Sequence, residues 1–171
     1  AGLIHLIGSP SNLAEIEFDG ALTNVGPTGR IIARNAMLLF NGTLDNQGRI
    51  AFSFGTSDIL GDINNTGAIT VTGNSNVTFW DDLINDGTLK VSSGSTAVYF
   101  GSVSGSGSFT GSGTTFLEGD LSPGSSPGAM SFGGDVVLGE SSTTLIELAG
   151  TAAGQYDRLL VTGELEVSGA L

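Results

Sequence analysis

Apolar and polar positions between Asn41 and Phe100 recur with a period of about twenty residues. Cut at that period, the stretch reads NGTLDNQGRIAFSFGTSDIL, GDINNTGAITVTGNSNVTFW and DDLINDGTLKVSSGSTAVYF. Each line carries an aliphatic residue, then Asn and Gly at alternate positions: Leu44, Asn46, Gly48; Ile63, Asn65, Gly67; Leu83, Asn85, Gly87. A second aliphatic follows each Gly (Ile50, Ile69, Leu89), and each line closes on an apolar pair, Ile59-Leu60, Phe79-Trp80 or Tyr99-Phe100. Within a line the apolar residues alternate with Ser, Thr, Lys and Asn, as in Ile50, Phe52, Phe54 or Ile69, Val71. That is the strand period; no window keeps apolar residues at helical spacing over several turns.

A meander of hairpins reverses at every turn, so its unit is a strand pair. Here the unit holds about three short strands, and equivalent positions return in the same phase. Stacking one line on the next predicts columns Leu44–Ile63–Leu83, Asn46–Asn65–Asn85 and Phe40–Leu60–Trp80–Phe100. The expected fold is therefore all-β, a parallel β-helix (β-solenoid) with about 20 residues per coil and roughly three sides. The L-x-x-L-x-L pattern of leucine-rich repeats and the G-G-x-G-x-D pattern of calcium-binding nonapeptides are both absent.

The spacing continues outside the core lines. Upstream, Leu22, Asn24 and Gly26 fit, with an extra pair of residues placed in Gly26-Pro27-Thr28-Gly29. Downstream, Val103, Gly105 and Gly107 replace Asn by Gly, and Leu121 opens a further line. Leu13–Phe18 alternates, so a coil is already under way there. Residues 101–118 look like a Gly/Ser linker by composition, but Val103, Phe109 and Phe116 hold the register of a slim coil. Residues 1–120 and 121–171 thus read as one elongated domain of about eight coils, roughly 35–40 Å long at ~4.8 Å per coil. The Asn and Gly columns (Asn24, Asn46, Asn65, Asn85; Gly26, Gly48, Gly67, Gly87) are assigned to sharp turns, where positive φ suits Gly and is tolerated by Asn. Buried Asn side chains are also expected to bond from coil to coil, as amide ladders do.

Composition adds limits. Gly is 28 of 171 residues, without the G-x-y period of collagen. There is no Cys, hence no disulfide framework or thiol chemistry. Seventeen acids against five bases give a net charge of −12, which argues against nucleic acid and anionic membrane surfaces as partners. No apolar run reaches the length of a membrane helix. Few charges and many Ser, Thr and Asn suit an extracellular β protein, so a secreted or cell-surface location is inferred from composition.

Residues 121–171 bring a resemblance. Ser122-Pro123-Gly124, Ser126-Pro127-Gly128, Gly134-Asp135, Glu147-Leu148-Ala149-Gly150 and Tyr156-Asp157, followed by Leu159, Val161 and Gly163, are similar to an S-P-G-x-S-P-G…G-D…E-L-x-G…Y-D-x-L-x-V-x-G segment. That segment is found in autotransporter passengers and related bacterial surface proteins. The resemblance implies a right-handed parallel β-helix, export, and life outside the cell. It covers about 50 residues in detail.

Reactive chemistry is sparse. His5 is the only His, so a His/Cys metal site is excluded and a Ser-His-Asp triad has only this residue at one end of the chain. Asp81, Asp82 and Asp86 fall in one line and are the candidates for Ca²⁺; solvated turn acids are the plainer reading. Arg30, Arg34, Arg49, Lys90 and Arg158 do not cluster beside acids in sequence, as a polysaccharide lyase or hydrolase on this fold requires. Glu164 and Glu166 share a strand face by alternation alone. Trp80 and Tyr99 are candidates for sugar stacking, but their place in the closing pairs points to core packing. No other cofactor is indicated.

Three functions follow from this reading. The first is a non-enzymatic structural protein of a bacterial surface, a stalk, sheath or filament. The second is an adhesin for glycan or a neighbouring surface, which an exposed aromatic row favours. The third is a carbohydrate-active enzyme. The open ladders at Ala1-Gly2-Leu3-Ile4 and at residues 165–171 are expected to join end to end with another copy or with more of the parent protein. Side-by-side packing is expected to be weaker because the acidic sides repel.

Overall fold

The computed structural model describes residues 2–124, 127–152 and 154–169. Ala1, Ser126 of the second Ser-Pro-Gly triplet, and the final Ala170-Leu171 lie outside the described residues. The fold is all-β, nineteen strands with no helix among the described residues, wound as a parallel β-solenoid. The turns lie about 20 residues apart.

The first face stacks β1 (Leu3–Ile7), β4 (Arg30–Arg34), the leading halves of β7 (Arg49–Leu60) and β9 (Ala68–Phe79), β11 (Thr88–Val91), β14 (Ser108–Thr110), β16 (Ala129–Phe132) and β18 (Arg158–Val161). The second face stacks β2 (Ala14–Phe18), β5 (Ala36–Phe40), the trailing halves of β7 and β9, β12 (Thr96–Tyr99), β15 (Thr114–Leu117), β17 (Asp135–Leu138) and β19 (Leu165–Val167). The third face is shorter: β3 (Leu22–Asn24), β6 (Leu44–Asn46), β8 (Ile63–Asn65), β10 (Leu83–Asn85) and β13 (Val103–Ser104). Parallel bridges from Val103 to Leu121 and from Leu121 to Thr144 carry it on. Two faces therefore reach eight levels, while about six turns close on all three sides.

Alternation along each strand sends every second side chain inward, where the core forms columns. Leu44, Ile63 and Leu83 stack in register as the repeat predicts and are at most 2% exposed. Ile31, Ile50, Ile69 and Leu89 form a second column on the first face. Leu38, Ile59, Phe79, Tyr99, Leu117 and Leu138 form a third on the second face. The aromatic rings in the columns stack at the coil spacing: Phe79 on Tyr99 at 4.7 Å and Phe109 on Phe132 at 4.5 Å between centroids. Such pairs add about 0.5–1.5 kcal/mol each beyond the burial of their area.

The predicted column Phe40–Leu60–Trp80–Phe100 is corrected. Leu39, not Phe40, pairs with Leu60, and Phe40 stands over Gly61 and beneath Phe18. The run Leu38-Leu39-Phe40 is one residue longer than Ile59-Leu60, which shifts the phase by one. Strand alternation then sends Ile59, Phe79 and Tyr99 inward and the second residue of each closing pair outward. Trp80 and Phe100 are 46% and 47% exposed, whereas Tyr99 is fully buried.

The glycine assignment is corrected too. Gly26, Gly48, Gly67 and Gly87 do not have positive φ, and neither do the ladder asparagines. Positive φ occurs instead at the corner between the first and second faces, at Asn35 (44°), Phe54 (60°), Gly55 (71°), Gly73 (69°), Asn74 (58°) and Gly94 (74°), and at other glycines, among them Gly61 (105°) and Gly105 (107°), the latter at the Asn position of its line. The Gly48–Gly67–Gly87 column needs its glycines for space. A Cβ on Gly67 would strike the Gly48 carbonyl, and one on Gly87 would strike the Gly67 carbonyl. The member above Gly48 is Gly29 rather than Gly26, because Arg30 pairs with Arg49 and a Cβ on Gly48 meets the Gly29 carbonyl. The inserted residues between Asn24 and Gly29 account for the slip.

Candidate interaction surface

The polar groups inside and around the coil are tied mainly to the coils next to them. Asn24 Nδ2 donates to Asn46 Oδ1, Asn46 Nδ2 to Asn65 Oδ1 and Asn65 Nδ2 to Asn85 Oδ1, each at 2.7 Å. All four side chains are buried. Their backbone carbonyls accept from the following coil as well, for example Asn65 O from the Asp86 N–H at 2.8 Å. The predicted amide ladder is thus present. At its last step Asn85 Nδ2 has no partner, because Gly105 follows Asn85 in the repeat.

The three calcium candidates serve the same purpose and do not converge. Asp81 Oδ2 accepts from the Gly61 N–H at 2.7 Å and Asp82 Oδ1 from the Ser102 N–H at 2.8 Å. Asp86 Oδ1 accepts from both the N–H and the hydroxyl of Ser106 at 2.9 Å. Those two bonds, the backbone one first, hold the Asp86 carboxyl below its ordinary pKa. No group of three His, Cys, Asp or Glu side chains gathers to hold a metal among the described residues.

The motif residues of 121–171 are clamps of the same kind. Asp157, buried, accepts from the Gly128 N–H at 2.6 Å and from the Glu147 N–H at 2.9 Å. One carboxylate thereby ties the Ser-Pro-Gly, Glu-Leu-Ala-Gly and Tyr-Asp elements together. Asp135 Oδ1 accepts from the Glu164 N–H at 2.9 Å. Glu164 precedes β19, and Glu166 lies on its outer side. His5 is exposed on the outside of β1.

The outside of the coil is not uniform. On the first face the outward positions include His5, Arg30, Arg34, Arg49, Lys90 and Arg158. All five Lys and Arg residues of the chain lie on this side, and its strand segments contain none of the 17 acids. Arg34 is held over the ring of exposed Phe54, its guanidinium carbon 4.9 Å from the centroid, a cation–π contact.

The second face is the opposite. Its outward column Leu39–Leu60–Trp80–Phe100 runs beside Met37, Asp58, Thr78, Val98, Phe116 and Val137. Trp80 and Phe100 stack at 4.7 Å and 10°, and Trp80 Nε1 donates to Asp58 Oδ1 at 3.0 Å. The charges on this side are acidic: Glu15 and Glu17 above, Asp58 within, Glu118 and Glu166 below. Sequence reading missed this segregation, because unequal coil lengths scatter the five bases along the chain. The alternation within each strand was the signal that places them.

A concavity of about 380 Å³ lies between β1 and β3, lined by Leu3, Ile4, Leu22, Val25 and Ile31 among others. A smaller groove on the third face runs past Asp62, Asn64, Asp82 and Ser102. Compared with family models, with curated proteins and with solved structures, the chain matches none.

Proposed function

We propose that this chain is a non-enzymatic structural segment of an exported bacterial surface protein, a solenoid that spans distance as a stalk, sheath or filament. The observation that carries this reading is where the polar side chains are spent. Asn24, Asn46 and Asn65, and Asp81, Asp82, Asp86, Asp135 and Asp157, each bond to a neighbouring coil or to the loop beside it. Such groups hold a column together and are not free to form an acid–base pair over a substrate. The resemblance of residues 121–171 to passenger segments of surface proteins supports export and a place outside the cell. Among the described residues β1–β3 and β18–β19 are each paired on one side only, and another level of solenoid, from the parent protein or from a second copy, would continue the ladder there. Negative-stain microscopy of the purified chain tests the reading and is expected to show rods or end-to-end polymers. Turnover of a common polysaccharide that a single acidic substitution abolishes would overturn it.

One observation favours a second reading, an adhesin. Trp80 and Phe100 are exposed side by side on a sheet face. Their rings stack on one another and so turn edges outward, a shape suited less to sugar rings lying flat than to apolar protein side chains. Loss of cell or glycan adhesion in Trp80→Ala, with an unchanged fold, is the result that selects this reading.

A further inference from the structure

We propose that the basic first face and the acid-rimmed apolar second face are the two halves of one lateral interface, through which copies of this chain pack side by side with their axes aligned. This inference stands apart from the export reading above. It goes beyond end-to-end joining, since it uses the flanks of the solenoid rather than its edges.

The charges match along the axis as well as in sign. Counting levels from β1, the first face carries Arg30 and Arg34 on the second level, Arg49 on the third, Lys90 on the fifth and Arg158 on the eighth. The second face carries Glu15 and Glu17 on the first, Asp58 on the third, Glu118 next to the sixth, Asp135 on the seventh and Glu166 on the eighth. Both faces belong to the same ladder and share one spacing of about 4.8 Å. At zero shift a parallel copy sets each basic group within one level of an acid, and so does an antiparallel copy, with Arg30 and Arg34 at the level of Asp135, Arg49 at that of Glu118 and Arg158 at that of Glu15 and Glu17.

The remaining area is compatible. Trp80, Phe100 and Leu60 stand at the middle levels of the second face. At the same levels the first face presents Ala51, Ala68, Thr70 and Thr72, small side chains against which rings can lie. Pairing two second faces would bring acid onto acid, and pairing two first faces base onto base, like charges whose repulsion is least screened at low salt. Only the mixed contact joins opposite signs. It is heterologous, so each copy keeps one unused face and the assembly grows as an open array or closes as a ring.

Magnitude limits the strength. Strands of about five residues at ~3.3 Å and eight levels at ~4.8 Å give a flat area near 550 Å² per copy. That is below the roughly 800 Å² per partner of a standard stable interface. A single contact is therefore weak and salt-sensitive, and association sets in at high concentration or when copies are held together.

A mixing experiment tests the proposal on the whole chain. Sedimentation velocity of the unsubstituted protein is expected to show concentration-dependent growth at about 0.01 M salt and its loss at about 1 M, where screening lengths fall from ~30 Å to ~3 Å. Arg30→Glu with Arg49→Glu spoils the first face; Trp80→Glu spoils the second, with Trp80→Gln in reserve if the thermal midpoint drops. Each variant alone is expected to lose the growth that low salt promotes and high salt abolishes. Mixed in equal amounts they are expected to regain one salt-sensitive pairing step and no further lateral growth, because one intact first face meets one intact second face. Three results would overturn the proposal. The first is a mixture that regains no salt-sensitive pairing step. The second is growth that only substitutions in β1 or β19 abolish. The third is an unsubstituted protein that never associates at low salt and instead binds dextran sulfate through the first face, which would make that face a polyanion site.

Discussion

Asn65 Nδ2 donates to Asn85 Oδ1 at 2.7 Å, yet Asn85 Nδ2, equally buried, donates to nothing. The amide ladder therefore has a direction and an end. A middle member both gives and receives, and the last one only receives. The two are chemically identical and energetically unequal.

Asn65→Ala should cost more stability than Asn85→Ala. The first leaves Asn85 Oδ1 without its donor and Asn46 Nδ2 with only the Ala68 carbonyl at 3.4 Å, at about 1–3 kcal/mol per unsatisfied group. The second orphans only Asn65 Nδ2 and removes an amine that already lacks a partner. Urea denaturation of both variants measures the order, and equal losses would contradict the ladder as the source.

Gly67→Ala is expected to destabilise by about 2 kcal/mol or more, since the new methyl meets the Gly48 carbonyl and backbone atoms of Gln47. Gly20→Ala meets nothing within 4 Å and should change stability by less than about 0.5 kcal/mol. Thermal melts of the pair separate crowding from any general effect of added methyls.

Burial without a hydrogen-bond partner pushes the Tyr99 hydroxyl pKa far up and leaves the group unsatisfied. Tyr99→Phe keeps the ring on Phe79 and removes only that oxygen. The variant should be as stable as the parent or more so, by up to about 1 kcal/mol. A clear loss of stability would mean that the hydroxyl has a partner in solution.

Asp86 titrates against the fold. Its carboxyl is held below the ordinary value by the Ser106 N–H and hydroxyl. Its contribution is complete above the ordinary carboxylate value and fades as pH falls through the lowered one. In Asp86→Asn the acid limb of the melting temperature against pH should be shallower. Superimposable acid limbs in the two proteins would refute the assignment.

Much of this architecture could be read from spacing. Leu44, Ile63 and Leu83 announce the coil because nothing interrupts their period, and Asn46, Asn65 and Asn85 mark the ladder for the same reason. Reading failed where one coil differs in length from the next. Phe40 and Leu60 both end an apolar run, although backbone pairing puts Leu39 opposite Leu60. Spacing alone aligns Gly26 with Gly48, but the chain needs Gly29 at that level. The role given to these glycines failed on physics: a Gly in a sharp corner suggests positive φ, whereas closely stacked carbonyls demand the same residue with ordinary φ. The segregation of the five bases needed a register for every coil before it could be seen.

The same register makes length an adjustable quantity. Ala68 stands in register with Thr88 and Ile69 with Leu89, so excising residues 68–87 splices Gly67 to Thr88 with each surviving core column in phase. Ile63 would then stand over Val103, and Asn65 would become the ladder's terminus. A cut of half that size would stack the strands of one face on those of another and break the columns of every later level. The chain behaves as a ruler graduated in whole coils, which a gene can lengthen or shorten by about 4.8 Å at a time without redesigning what lies on either side.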